Sequence, residues 1–224
     1  TLWHTLSLHD ALPIWVAARS ERLLGELGIP GDSAEGYLFP ETYFFAPDAF
    51  AEAIVRRMHA TFERRLEALE PPPEADLRRA VILASIVQAE AAVVDEMPAI
   101  AGVYHNRLTD ASFPTRLLNA DPTVAYGCEP GITPRAPSCA GFSGTLGRRQ
   151  LDDAANPYNT YRHPGLPPGP ICSPGEAALE AALRPADVPY FYFVAGGGGG
   201  RHVFSVTAAE HARAVERYRA RRRD

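Results

Sequence analysis

Lysine is absent from this chain of 224 residues, and all 22 of its basic side chains are arginines. Without a lysine amine, no side chain can form a Schiff base with a carbonyl substrate. Acidic residues number 27, which gives a formal net charge of -5 at pH 7. A chain of this charge is not expected to bind nucleic acid, because such proteins normally present a basic face. No apolar run approaches the length of a membrane span.

Cysteine is scarce as well. The three cysteines form no CxxC pair and no Cys/His set with zinc-site spacing. No GxSxG or HExxH motif is present, and no GxGxxG follows a predicted strand. We therefore expect neither a bound metal nor a cofactor. Cys128 and Cys139 bracket a loop rich in Pro and Gly, where a disulfide would form in an oxidising compartment; two unpaired thiols are the alternative.

The first residues of the chain are treated separately. Residues 5–14 read TLSLHDALPI, as does the in-frame translation of a common sequencing-library adapter. We therefore expect residues 1–14 to be foreign to the protein and exclude them from the fold prediction. Residues 15–34 are expected to be the remnant of an N-terminal region or linker, and residues 35–224 to form the main domain.

Helices dominate the predicted secondary structure. They are predicted over residues 16–27, from Asp48 as N-cap to residue 69, over residues 74–94 and 98–108, from Ser173 as N-cap to residue 183, and after a capping box of Thr207 and Glu210. Residues 190–194 and 202–206 are expected to form a β-hairpin. This order indicates the α+β class. Residues 109–169 show little periodicity, and so long an irregular stretch is expected to build a binding site.

The helix predicted over residues 74–94 is apolar nearly all round at its middle, so it should be central, and it carries an acid on an apolar stripe. Glu90 follows Ile86 and Val87 by four and three residues, which places the three side chains on one face. Burial there would favour the neutral acid and raise its pKa. Cleavage of a glycosidic bond requires such a protonated acid, since the leaving oxygen must receive a proton. The alternative is a helix-end Glu that turns to solvent or pairs with an arginine such as Arg107.

Polar and aromatic side chains around the irregular stretch could bind a sugar, because amides bond hydroxyl groups and rings cover the apolar face. The candidates are Asn106, Asp121, Thr123, Tyr126, Asn159, Thr160, Tyr161, His163 and Pro167. Asp121 is the acid among them that could act as a second carboxylate. The alternative is that the Asn residues hold the shape of the loop through local hydrogen bonds.

Eight short motifs, in order, resemble those of the endolytic murein transglycosylases of the YceG-like family. They are residues 35–43 (EGYLFPETY), 83–91 (LASIVQAEA), 104–108 (YHNRL), 119–127 (NADPTVAYG), 158–161 (YNTY), 165–171 (GLPPGPI), 192–195 (YFVA) and 202–204 (HVF). Several motifs at consistent spacing are far more specific than any one of them. The resemblance extends from about residue 35 to residue 215.

The resemblance implies an α+β catalytic domain that cleaves MurNAc-GlcNAc β-1,4 bonds in nascent peptidoglycan. Such enzymes are lyases that leave 1,6-anhydro-MurNAc ends and use no metal, cofactor or water. One Glu acts as acid and then as base, which assigns the role to Glu90. The resemblance also implies a single membrane helix and a small LysM-like domain upstream, a catalytic domain outside the cytoplasm, and cell-wall synthases as partners.

The chain departs from the family pattern at Gln88, where many members carry Glu. Gln88 is two residues from Glu90 and should face another side of the helix, so we expect the chain to be active. Two alternatives stay open. One is a peptidoglycan-binding module that has lost catalysis through the change at Gln88, and the other is a hydrolase in which Asp121 activates water.

Overall fold

The computed structural model describes residues 8–46, 48–196 and 198–221. Over those ranges the chain forms nine α-helices and one two-stranded sheet. In chain order they are α1 (Leu8–Ala17), α2 (Glu21–Leu27), α3 (Ala51–Ala68), α4 (Leu77–Glu90), α5 (Met97–Thr109), α6 (Asp121–Tyr126), α7 (Arg148–Leu151), α8 (Glu176–Leu183), β1 (Tyr192–Ala195), β2 (His202–Ser205) and α9 (Ala208–Arg221). Residues 1–7, part of the segment expected to be foreign, lie outside the described residues.

Helix α4 is central, as its apolar middle predicts. Asp76 caps the helix, because its carboxylate accepts a hydrogen bond from the backbone N–H of Arg79 at 3.0 Å. Residues 81–87 are all buried, and α5, α6 and α8 pack around them. The helix ends at Glu90 and not near residue 94, since Ala91 adopts an extended backbone conformation.

The single helix predicted over residues 16–27 is two helices. Ser20 has an extended backbone, and its hydroxyl caps α2 by accepting a hydrogen bond from the Leu23 N–H at 3.4 Å. Gly28 ends α2 in the left-handed conformation, with φ of 67°, which confirms the predicted end. Helix α1 packs against α3.

Helix α3 begins later than predicted. Its N-cap is Phe50, which makes no side-chain capping hydrogen bond, so the prediction of Asp48 as N-cap is wrong. Val55 and Phe62 are buried on the face that packs against the core, whereas Phe50, at the N-cap, is 83% exposed.

Residues 109–169 contain α6, α7 and one turn of 3-10 helix (Pro137–Cys139) and are otherwise loop, as predicted. Cys128 and Cys139 are joined by a disulfide bond, which is the bonded one of the two alternatives. The long stretch therefore owes its shape to one covalent link, two short helices and side-chain hydrogen bonds.

Helix α8 also begins later than predicted, and Ser173 does not cap it. The N-cap is Gly175, whose N–H donates a hydrogen bond to Gln88 Oε1 at 3.0 Å. This tertiary contact fixes the start of α8 at Glu176.

The end of the chain is as predicted. Strands β1 and β2 pair antiparallel with Phe193 opposite Phe204, and α9 packs against both strands. Thr207 and Glu210 form the capping box, in which each backbone N–H donates to the other's side chain, at 3.0 and 3.2 Å. The α+β class is confirmed. Among the described residues, no helix combines the length and apolar character needed to cross a membrane.

Candidate active site

Glu90 is the last residue of α4, so the central helix carries its carboxylate to the edge of the core. The residue is partly buried. The hydroxyl of Tyr104 donates a hydrogen bond to Glu90 Oε1 at 3.0 Å. Within the described residues the Glu90 side chain has no other hydrogen bond and no ion pair. Its second oxygen, Oε2, is therefore free to meet a ligand.

The loss of hydration on burial is the main cause that raises the pKa of Glu90 from 4.5 to about 7. The hydrogen bond from Tyr104 lowers the pKa, the negative charge of Asp121 raises it, and the positive charge of Arg107 lowers it. A pKa near 7 means that a large fraction of Glu90 is protonated at neutral pH. The direction of this pKa shift is the one that the apolar stripe predicts.

Tyr104 is the partner of Glu90 that sequence reasoning misses, because it reads as one more apolar position on α5. It is 1% exposed, and its ring meets that of Phe193 edge-on with the centroids 5.7 Å apart. Burial is the main cause that raises the pKa of Tyr104, so its hydroxyl keeps its proton and donates it in the hydrogen bond. The signal that could have revealed this residue is its place in the YHNRL motif.

Arg107 places a buried positive charge behind the site. It is 6% exposed, and its guanidinium donates hydrogen bonds to the backbone carbonyls of Phe191 and Leu118. The group also lies 5.4 Å from the ring centroid of Tyr192. No ion pair joins Arg107 to Glu90 in the described part of the chain, so the pairing alternative is not what the structure contains.

Asp121 and Tyr161 are a second pair of polar residues that interact electrostatically with Glu90. The Tyr161 hydroxyl donates a hydrogen bond to Asp121 Oδ1 at 2.6 Å. Burial first, then the Asp121 carboxylate, and to a smaller extent Glu90, raise the pKa of Tyr161. Helix α6 places Asp121 there as its first residue. The structure therefore brings together three of the residues that the sequence singles out.

Three of the predicted sugar-binding residues are buried and hold the backbone next to Asp121 and Tyr161. Thr123, Asn159 and Thr160 are each at most 1% exposed. The hydroxyls of Thr123 and Thr160 lie 2.9 Å apart, and Asn159 donates from its amide nitrogen to three backbone carbonyls. Side chains that are buried and already hydrogen-bonded in this way cannot contact a glycan strand directly. This agrees with the alternative that such residues hold the shape of the loop.

The other predicted sugar-binding residues, Asn106, Tyr126, His163 and Pro167, make contacts elsewhere in the fold. The Asn106 amide nitrogen donates to the carbonyls of Val188, at 2.7 Å, and of Tyr190, at 3.0 Å, and so holds the approach to β1 against α5. His163 Nε2 lies 2.9 Å from the carbonyl oxygen of Ala154, and Pro167 is buried. Tyr126 packs edge-on against Tyr158, with the centroids 4.9 Å apart. Their roles in binding substrate stay predictions.

Gln88 points away from Glu90, as the helical geometry predicts. Its side-chain oxygen accepts the hydrogen bond from the Gly175 N–H that precedes α8. No group of three or more His, Cys, Asp or Glu side chains in the described ranges could hold a metal ion. The arrangement allows acid and base chemistry by the carboxylate of Glu90, with which the carboxylate of Asp121 interacts electrostatically.

Comparison with known proteins shows the family of this chain. The model of the YceG-like family matches residues 5–217. The chain belongs to the YceG-like family. A relative in Bacillus subtilis, named endolytic murein transglycosylase, is 34% identical over 188 residues, which are 82% of this chain and 48% of the relative. A relative of the same name in Streptococcus pneumoniae is 28% identical over 192 residues, or 81% of this chain and 31% of the relative.

A YceG-like protein of known structure has the same fold. The crystal structure of lmo1499 from Listeria monocytogenes superposes with a TM-score of 0.68 at 28% identity, over 93% of this chain and 67% of that one. Most of this chain therefore shares the fold of that protein. The chain nevertheless spans less than half the length of the two transglycosylase relatives.

Proposed function

We propose that this YceG-like chain is a lytic transglycosylase that cleaves MurNAc-GlcNAc β-1,4 bonds within nascent peptidoglycan and leaves 1,6-anhydro-MurNAc ends. The observation that carries the proposal is Glu90, a partly buried acid with a pKa of about 7 and one free oxygen. The two relatives named endolytic murein transglycosylase support the substrate class.

Glu90 acts twice in the proposed reaction. In its protonated form it gives the proton on its carboxyl group to the glycosidic oxygen as the bond from that oxygen to the anomeric carbon breaks. The C6 hydroxyl of the same MurNAc residue then bonds to the anomeric carbon, and its proton returns to Glu90. The enzyme is regenerated without water, so a second carboxylate is not required to activate a nucleophile.

The neighbours of Glu90 suit this cycle. The Tyr104 hydroxyl holds Oε1 and leaves Oε2 to carry the proton. The Asp121 carboxylate acts electrostatically on Glu90, and a negative charge there would stabilise positive charge that develops at the anomeric carbon. Tyr161 orients that carboxylate through its hydrogen bond.

We also propose that the domain works outside the cytoplasm, anchored to the membrane by an upstream helix and beside cell-wall synthases. The disulfide between Cys128 and Cys139 supports the location, because disulfide bonds persist mainly in oxidising compartments.

Product analysis tests the proposed reaction. Purified glycan strands would be incubated with the chain, with Glu90→Gln and with the control Glu67→Gln, which removes an exposed acid from α3. Mass spectrometry of the product ends should find anhydro ends with the chain and the control, and none with Glu90→Gln. Reducing ends would support the hydrolase that uses Asp121. Intact strands that sediment with folded protein would support the binding module.

A further inference from the structure

Glu35 has a carboxylate without a partner. Its side chain is partly buried and has no hydrogen bond or ion pair among the described residues. Loss of hydration is the main cause that raises the pKa of Glu35, and the charge of Arg19 opposes it. An unpaired acid in such surroundings destabilises a fold, so its presence points to a ligand that completes its hydrogen bonds.

Two tyrosines complete a polar cluster around this acid. Tyr126 is only 9% exposed, and neither its hydroxyl nor that of Tyr158 has a hydrogen-bond partner in the described part of the chain. Burial is the main cause that raises the pKa of both groups. The charge of Glu35 is the next cause for Tyr126, and the charges of Asp32 and then Glu35 are the next causes for Tyr158. The carboxylate and the two hydroxyls are thus close enough to interact electrostatically, and the two rings form a wall beside them.

The backbone around Glu35 is held firmly in place. Gly36 has φ of +87°, and a Cβ atom there would lie 2.4 Å from Pro170 Cγ, so only glycine permits this close approach. The facing loop is fixed in turn to α4, because the Ile171 N–H donates a hydrogen bond to Ser85 Oγ at 3.0 Å. Glu35 therefore belongs to a rigid wall and not to a loose surface turn.

Two elements, α6 and the loop after α7, contribute residues both to this cluster and to the surroundings of Glu90. Helix α6 carries Asp121, which acts on Glu90, at its first residue and Tyr126 at its last. The two are five residues apart, or about 7.5 Å along a helix. The loop after α7 does the same, with Tyr161 at the Glu90 end and Tyr158 at the other. The same helix and the same loop therefore run from the surroundings of Glu90 to those of Glu35.

We propose that Glu35, Tyr126 and Tyr158 form a distal saccharide-binding subsite, which holds a sugar of the glycan strand away from the bond that is cut at Glu90. The carboxylate accepts hydrogen bonds from sugar hydroxyl or acetamido N–H groups, the phenol hydroxyls donate and accept, and an aromatic ring covers the apolar sugar face. The inference rests on the proposed function, because it requires a glycan strand at Glu90.

The test is the dependence of cleavage on strand length. We would measure kcat and KM for Glu35→Gln on long peptide-free glycan strands and on the shortest fragment that the chain cuts. Loss of hydrogen bonds to a carboxylate should lower kcat/KM on long strands about tenfold, mainly through KM, and on the short fragment by at most about threefold. Glu129→Gln is the matched control, because Glu129 is exposed and also acts electrostatically on Glu35; its kcat/KM should stay close to that of the unchanged chain.

Each result bears on one idea. An equal loss on long and short strands, or no loss, overturns the distal subsite. A loss seen only with strands that carry stem peptides overturns the saccharide assignment in favour of a peptide. If Glu90→Gln still cleaves, the proposed role of Glu90 is wrong. The length dependence of Glu35→Gln then tests the distal subsite independently of Glu90.

Folding is checked by thermal denaturation. Glu35→Gln should melt at or above the temperature of the unchanged chain, because it removes an unpaired, partly buried acid. If it melts well below that temperature, Tyr126→Phe and Tyr158→Phe decide the matter. Each of them removes one hydroxyl and keeps the ring, and each should show the same dependence on strand length.

Discussion

Replacement of Glu90 by Gln should make the protein more stable at high pH, because the charged carboxylate opposes folding. The folded-state pKa of about 7 lies above the ordinary value of 4.5, a gap that corresponds to about 3 kcal/mol. Below pH 4.5 Glu90 is protonated in both the folded and the unfolded state, and no cost arises. Between pH 4.5 and about 7 the folded state holds a proton that the unfolded state has released, so the free energy of unfolding falls as the pH rises.

Urea denaturation of the chain and of Glu90→Gln at about pH 4 and about pH 8 measures this effect. At the higher pH the variant should be the more stable by up to about 3 kcal/mol, and at the lower pH the two should nearly coincide. Gln is close to Glu in size, and its side-chain oxygen can still accept the hydrogen bond from Tyr104. The comparison therefore isolates the charge.

Glu67→Gln is the control, since it removes an exposed negative charge from α3. Its stability relative to the unchanged chain should hardly vary between the two pH values. A difference for Glu90→Gln that is the same at both pH values would refute the reasoning, because it would mean that burial does not discriminate between the two protonation states of Glu90.

Three further predictions concern the surroundings of the site. Tyr104→Phe removes a hydrogen bond that lowers the pKa of Glu90, so the fall of kcat/KM at high pH should move to higher pH; an unmoved profile would contradict this. Gln88→Glu keeps an acceptor for the Gly175 N–H and should leave kcat/KM within about threefold, whereas Gln88→Ala should lower the free energy of unfolding by about 1–2 kcal/mol, as measured in urea. Replacement of both Cys128 and Cys139 by Ser, a pair 11 residues apart, should lower that free energy by about 3 kcal/mol, and a reducing agent should do the same to the unchanged chain but nothing to the variant.

The features that the sequence predicts correctly are local ones. The apolar run of α4 spans several turns, so its periodicity marks both a central helix and the face on which Glu90 lies. The capping box of Thr207 and Glu210 is likewise a contact between residues three apart. In each case the residues that determine the structure are the residues that form it, and tertiary packing has little left to decide.

The features that the sequence does not predict depend on contacts between distant segments. Ser173 suits an N-cap as well as Gly175 does, and the hydrogen bond from Gly175 to Gln88 selects between them. Asn159 has the same amide whether it binds a sugar or a loop. Only its burial and its hydrogen bonds to three backbone carbonyls show that it holds the loop. Residue type alone cannot separate recognition from support where both use the same hydrogen bonds.

The difference between Gln88 and Glu90 follows the same logic and bears directly on activity. Side chains two positions apart on a helix point about 200° away from each other. Gln88 and Glu90 therefore have different partners: Gln88 accepts a hydrogen bond from the Gly175 N–H, and Glu90 accepts one from the Tyr104 hydroxyl. An acid at position 88 would accept the same hydrogen bond and add a charge that the start of α8 favours. Gln keeps the bond and gives up only that charge. We therefore infer that position 88 supports the fold, and that Gln there leaves the surroundings of Glu90, the proposed acid, unchanged.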